Sequence, residues 1–249
     1  MFRIFHKNME SAGTSSKQEA YRKAIARVEE LLGTTSRPDE QGAILDYAIK
    51  VVKRDLIGEA LSNIFYCGNE FPPDWRNVIP VPFSCQEKKP VSIDLGSTDV
   101  LAVPWRVESL ATSIRDLRTA PFNSAEGRYS ASYYKEIGLA VINNGIHHSA
   151  VASMGGGGAI QAAAYSMAAA FNIMSTNGAV WTIKEQQGTS QIDVLDFRFA
   201  ILFTLAEKRH KISQTAFASA NIDTRSLASY NNIHTGTVEL EEGRSFDDT

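Results

Sequence analysis

Cysteine is scarce in this sequence: Cys67 and Cys85 are the two in 249 residues. Two cysteines cannot build a disulfide framework, and neither stands in a CxxC or Cys/His spacing of the kind a structural zinc needs. They fit a reducing compartment. A basic excess is also lacking. Lys and Arg number 25 against 28 Asp and Glu, a formal net charge of -3, so no bulk field draws the chain onto nucleic acid. A local basic patch stays open at this stage. Long apolar runs are missing as well. Residues 1–7 lack the apolar core of a signal peptide. The most apolar later stretch, residues 159–174, is interrupted by Gln161, Ser166 and Asn172. It falls short of the roughly 20 apolar residues that span a bilayer. The expected location is the cytoplasm, with no membrane partner. No internal repeat is visible, and no low-complexity run beyond residues 155–158.

What is present reads as an ordinary folded chain. Hydrophobic residues make up 43% and charged residues 21%, enough to bury a core in one large domain or two small ones. Residues 10–17 are small and polar and are expected to be poorly ordered. Residues 18–32 carry helical periodicity, with Tyr21, Ile25, Val28, Leu31 and Leu32 on one face and Gly33 as a stop. Ser36-Arg37-Pro38-Asp39 signals a helix start. A helix over 39–53 is expected to point Ile44, Leu45, Ala48, Ile49 and Val52 inward, with another over 57–65. Phe71-Pro72-Pro73-Asp74 ends this helical region, and Pro80, Pro82 and Pro90 keep the next segment extended.

Short strands are expected at 91–95 and 100–103, then a helix over 108–117 with Leu110, Ile114 and Leu117 inward. Residues 121–132 read as a loop, 133–142 as one strand, and 149–154 as a short helix. Residues 159–174 read as an Ala-rich buried helix, 178–183 as a strand, and 192–208 as a buried helix that 217–227 continues. Residues 239–249 read as a frayed acidic tail. The resulting division is a helical region over 1–70, a mixed core over 71–185 and a helical region over 186–249.

One stretch concentrates chemistry. The apolar run 137–142 ends in Asn143-Asn144-Gly145, then Ile146-His147-His148-Ser149 opens a helix. A strand, a Gly turn and a helix start bring unpaired N–H donors and a partial positive charge to one spot, which suits phosphate or another anion. Neighbouring side chains diverge, so one of the two imidazoles is expected to face a ligand as proton shuttle or anion contact. The bland alternative is a capping or core-satisfied ring. Ser149 either caps this helix or bonds a ligand oxygen, and capping is the better reading. Glu108 suits the positive end of its own helix. The glycines at 155–158 lack the Lys-Ser/Thr of a P-loop and read as a turn. For metal, His210, His234, Asp94 and Asp99 are candidates by type alone, and no metal site is expected. Cys67 reads as structural. No Ser-His-Asp order or paired-carboxylate pattern emerges.

Two segments together resemble the ParB/sulfiredoxin-like superfamily. The first is Leu101-Ala102-Val103-Pro104-Trp105-Arg106 with the helix that follows to Leu117. The second runs from Gly138 through Asn144-Gly145-Ile146-His147-His148-Ser149 to Gly155. The likeness covers roughly residues 91–165 and extends to a bacterial family of uncharacterised proteins with a "GxHS" second box. It implies an α/β (α+β) fold, a small mixed sheet with helices, flanked by helical N- and C-terminal regions. It also implies a pocket with Arg106 gripping phosphate opposite the second box.

There are departures. Ile146 stands where ParB members carry an acid, His147-His148 replaces a basic pair, and neither cysteine falls in the second box, as the sulfiredoxin reaction would need. The expected function is binding of a phosphate-bearing ligand, a nucleotide first, with any magnesium arriving with that nucleotide. Arg106, Trp105, Asn144, Gly145 and Ser149 would bind it. His147 or His148 would serve phosphoryl transfer or phosphodiester cleavage as general acid or base. The rival is a non-catalytic nucleotide sensor or protein-interaction module in a bacterial defence or mobile-element system, with a protein partner or a second copy of itself. Nucleic acid as partner is disfavoured by the charge.

Overall fold

The computed structural model describes residues 14–66, 78–123, 129–155, 157–186 and 188–233, the last segment by backbone alone from 216. Cys67, the 71–74 break, His234, the 239–249 tail and parts of the 10–17 and 121–132 segments lie outside the described residues. Helix α1 spans Thr14–Leu32 and α2 spans Pro38–Tyr66. A 3-10 turn at Phe83–Cys85 leads to β1 (Val91–Asp94), β2 (Asp99–Leu101) and α3 (Val107–Thr119). Then come β3 (Ser130–Tyr134), β4 (Leu139–Asn144), α4 (Ile146–Gly155) and β5 (Ala159–Tyr165). The last described elements are α5 (Met167–Ala170), β6 (Met174–Thr176), β7 (Val180–Glu185), β8 (Gly188–Asp193) and α6 (Phe197–Ile233).

The fold is mixed α+β. Its five-stranded sheet has the order β1-β5-β3-β4-β2 and mixes both senses: β2 with β4 and β3 with β5 are parallel, β3 with β4 and β1 with β5 antiparallel. A second sheet, β6-β7-β8, is an antiparallel meander. Among the described residues no helix is long and apolar enough to cross a membrane.

Each face of the larger sheet meets its own core. One core joins Leu139 and Val141 of the sheet to Leu45 and Leu56 of α2, Trp181 of β7, and Phe199 and Phe203 of α6. The other packs Ile93, Val100, Ala140, Ile142 and Ile160 of the sheet with Ala150 and Ala152 of α4. Strand alternation accounts for the division, since Leu139 and Val141 point one way and Ala140 and Ile142 the other. Two charged bolts tie the helices in. Lys53 of α2 is buried and meets Asp99 of β2 at 2.6 Å. Arg198 of α6 is buried among Asp196, Asp55 and Glu59.

Several expected elements are redrawn. Residues 159–174 form β5, α5 and β6 rather than one helix. Alanine favours helix, but Ile160, Ala162 and Ala164 alternate inward, and Ala162 is clamped between Val91 of β1 and Ala131 of β3. Partner strands overrule a propensity worth tenths of a kcal/mol per residue. The single strand at 133–142 is a hairpin: Gly138, at φ +60°, turns the chain so that Tyr134 faces Leu139. The helix expected from 192 starts at Phe197, because Asp196 accepts the Arg198 N–H at 2.8 Å and leaves β8 to the preceding residues. The two helices expected at 39–53 and 57–65 are one. Leu56, Ala60 and Ile64 continue the buried stripe of Leu45 and Ile49, and Gly58 sits in open space without interrupting it. Residues 14–17 are helical, and Lys17 Nζ donates to the Val194 carbonyl at 2.9 Å. Leu31 and Ile114 are exposed rather than inward; on α3 it is Ser113 that is buried.

Candidate functional site

The approach to α3 and the start of α4 form the walls of one open groove of about 570 Å³. Trp105, Arg106, Ser109 and Thr112 line one side, and Asn144, Gly145, His147 and His148 the other. Two chain segments some forty residues apart in sequence are joined here by the histidines (the His147–Arg106 separation is 41).

The local causes are legible. At the end of β4 the chain must turn sharply into α4, and Gly145 supplies φ +76°. A Cβ at this position would stand 2.3 Å from Cδ1 of Tyr129, so close approach also requires glycine. Asn144 Oδ1 accepts the Gly145 N–H at 2.9 Å. The first intrahelical bond of α4 runs from the Ser149 N–H to the Gly145 carbonyl. The N–H groups of Ile146, His147 and His148 therefore precede the helical ladder and carry the positive end of its dipole.

Helix α3 starts without a side-chain cap from its own N-cap residue, Arg106. His147 reaches across the groove to the turn just before the helix. Its Nε2 accepts the N–H of Arg106 at 3.2 Å and of Trp105 at 3.4 Å. An accepting Nε2 puts the proton of a neutral ring on Nδ1. Burial, then the neighbouring His148, then Arg106 hold the His147 pKa below the ordinary histidine value. The ring lies 5.9 Å from that of Trp105, and the Arg106 guanidinium sits 4.7 Å over the Trp105 indole.

His148 latches the same helix further along. Its Nδ1 meets Ser113 Oγ at 3.1 Å and its Nε2 meets Asp116 Oδ2 at 3.3 Å. Ser113 Oγ also donates to the Ser109 carbonyl at 2.9 Å. Tyr129 presents its edge to His148 at 6.4 Å.

Seven of the residues given a role from the sequence line the groove: Trp105, Arg106, Glu108, Asn144, Gly145, His147 and His148. Ser149 does not. It is fully buried inside α4 and its Oγ finds no partner, so it neither caps the helix nor reaches the groove. Glu108 lies in the first turn of α3, as expected for its charge. The metal candidates by type are spread apart. Asp94 caps a turn through Gly96 and Ser97, Asp99 pairs with Lys53, and His210 meets Gln214 and Phe171. No sequence motif marks Ser113 and Asp116. The available signal was a serine in phase with Leu110 and Leu117, on the inward side of an amphipathic helix.

A family model matches residues 6–215. The chain belongs to DUF6710, a family of unknown function. No curated protein and no solved structure matches it. The match takes in both walls of the groove, so the groove of this DUF6710 chain lies wholly within the shared part.

Proposed function

We propose that the groove binds a phosphate-bearing ligand, a nucleotide first, in a pocket of ParB/sulfiredoxin-like type. The observation that supports this is the convergence of the two motif segments on one groove, with Arg106 and the start of α4 both in its lining. Its volume falls within the roughly 300–1,000 Å³ of small-molecule pockets. Arg106 offers a planar fork for phosphate oxygens, and the first N–H groups of α4 offer neutral donors. His147 contributes an Nδ1 donor rather than charge.

The imidazole bonding favours binding over turnover. His147 spends Nε2 on the Arg106 and Trp105 backbone, and His148 spends both ring nitrogens on Ser113 and Asp116. A general acid or base must be free to exchange its proton with the substrate. The second reading, a nucleotide-sensing module without catalysis, draws its support from this bonding.

The test is the thermal midpoint of the full chain with a panel of nucleoside di- and triphosphates, with and without magnesium. A ligand present at 100 times its Kd adds about 2.7 kcal/mol, a rise of roughly 5–10 °C for a chain of this size. Arg106→Ala should abolish the rise. Product formation from the stabilising nucleotide would restore the enzymatic reading. A panel that leaves the midpoint unmoved would sink nucleotide binding and turn attention to a protein partner.

A further inference from the structure

A second hollow lies on the face of the five-stranded sheet turned away from α3 and α4. It measures about 540 Å³. The opposite face is apolar throughout its middle, with Ala131, Ile142, Ile160 and Ala162 packed in the smaller core. On this face Ser132 of β3, Asn143 of β4 and Gln161 of β5 line the hollow, staggered along their strands, with Tyr165 at one end. The segment before β1 forms the wall. It is fixed by the Glu87 N–H to the Ala164 carbonyl, 2.9 Å, and by the Glu87–Lys135 ion pair, 2.6 Å.

This hollow is more than a solvated sheet face. Ser132 is 6% exposed, and the Asn143 side-chain oxygen is out of water's reach with no hydrogen-bond partner. Asn143 Nδ2 donates to Ser132 Oγ at 3.0 Å. Turning the amide over exchanges the two ends and leaves the amino group unpaired instead, so either orientation strands one polar group. A stranded buried polar group is costly, and a ligand supplying the missing partner recovers that cost. Asn143 lines the hollow and its terminal amide torsion is soft, so a ligand there meets the stranded group once the amide rotates.

We infer that this hollow binds a small uncharged ligand through an amide-type edge, a hydrogen-bond donor beside an acceptor, as nucleobases and primary carboxamides present. Asn and Gln side chains pair with such edges two bonds at a time. Asn143 and Gln161 stand two strands apart, on either side of β3, whose Ser132 hydroxyl bonds Asn143. The ligand carries no phosphate, so this site stands independently of the groove.

The experiment is a titration of the isotope-labelled full chain with uridine, guanosine and nicotinamide, following the side-chain amide signals by NMR. Saturable shifts of the Asn143 and Gln161 signals are expected, with at least a tenfold loss of affinity in Asn143→Asp and in Gln161→Ala. Gln161 is exposed, so its variant keeps the fold if Asn143→Asp does not. Binding of the nucleosides alone would assign the ligand as a nucleobase, and binding of nicotinamide too would assign the amide edge in general. Unsaturated or absent shifts for every probe up to about 10 mM would overturn the inference. So would affinity unchanged in Gln161→Ala, or shifts confined to Asn144 and the histidines.

Discussion

His147 is where structure, charge and pH meet, and replacing it by alanine has a calculable result. The ring accepts two backbone N–H groups at the start of α3, at 3.2 and 3.4 Å. Losing an acceptor for a backbone N–H costs about 0.5–1.5 kcal/mol. Both bonds are long and Arg106 is exposed, so water can replace the lost acceptor and the expected cost is about 1 kcal/mol. That corresponds to a midpoint lowered by roughly 2–4 °C. The pH dependence follows from the sign of the shift. The folded-state pKa lies below the unfolded value of about 6.5, because burial, His148 and Arg106 disfavour the charged ring. Between the two values the unfolded chain binds more protons, so stability rises with pH. The contribution of His147 is therefore complete above about pH 6.5 and fades as pH falls through the folded pKa. Urea unfolding of wild type and His147→Ala between about pH 8 and pH 5 should show a gap of about 1 kcal/mol at the alkaline end that closes toward the acid end. His147→Gln, which keeps an acceptor without titrating, should hold a constant offset from the alanine variant. Parallel wild-type and alanine curves, or a gap that widens in acid, would refute the latch.

Three other substitutions probe the frame around the groove. Gly145→Ala forces an L-residue to φ +76° and drives a Cβ into the Tyr129 ring, so a loss of about 2–4 kcal/mol is expected in urea unfolding; a loss below about 1 kcal/mol would mean the turn is not constrained as described. Arg198→Ala leaves the nearly buried Asp196 unpaired beside Glu59 and should cost about 3–5 kcal/mol. Burial alone would lower the Arg198 pKa, but Asp196 and then Glu59 outweigh it and raise it, so Arg198 stays charged throughout and the loss should not vary with its titration. Asp116→Ala breaks a pair whose carboxylate is 56% exposed and should cost under about 1 kcal/mol; a larger loss would show that His148 depends on this carboxylate rather than on Ser113.

The parts of the chain that read correctly from sequence are those whose cause is local. Asn144-Gly145 makes a turn because of what glycine and asparagine are, and Pro38 with Asp39 opens α2 for the same kind of reason. The misread parts are those where a distant partner decides. Residues 159–165 are mostly alanine, which blurs the contrast between buried and exposed sides, so neither a period of 2 nor one of 3.6 stands out. Strands β1 and β3 choose between them. Residues 192–208 hid a boundary that was local after all, since Asp196 is an ordinary helix-start residue, masked by the apolar run around it.

The histidines show the limit most clearly. Sequence identifies a helix start that needs something to accept its N–H groups, but not what will do so. At α3 the acceptor is an imidazole 41 positions away, which no spacing rule could have supplied. That choice also bears on chemistry. A ring recruited to hold a helix is a poor proton shuttle, and the same bond makes the integrity of the groove wall depend on the ring staying neutral. On the proposed function, anion binding therefore rests on Arg106 and the α4 start, while the imidazoles keep those two elements in register.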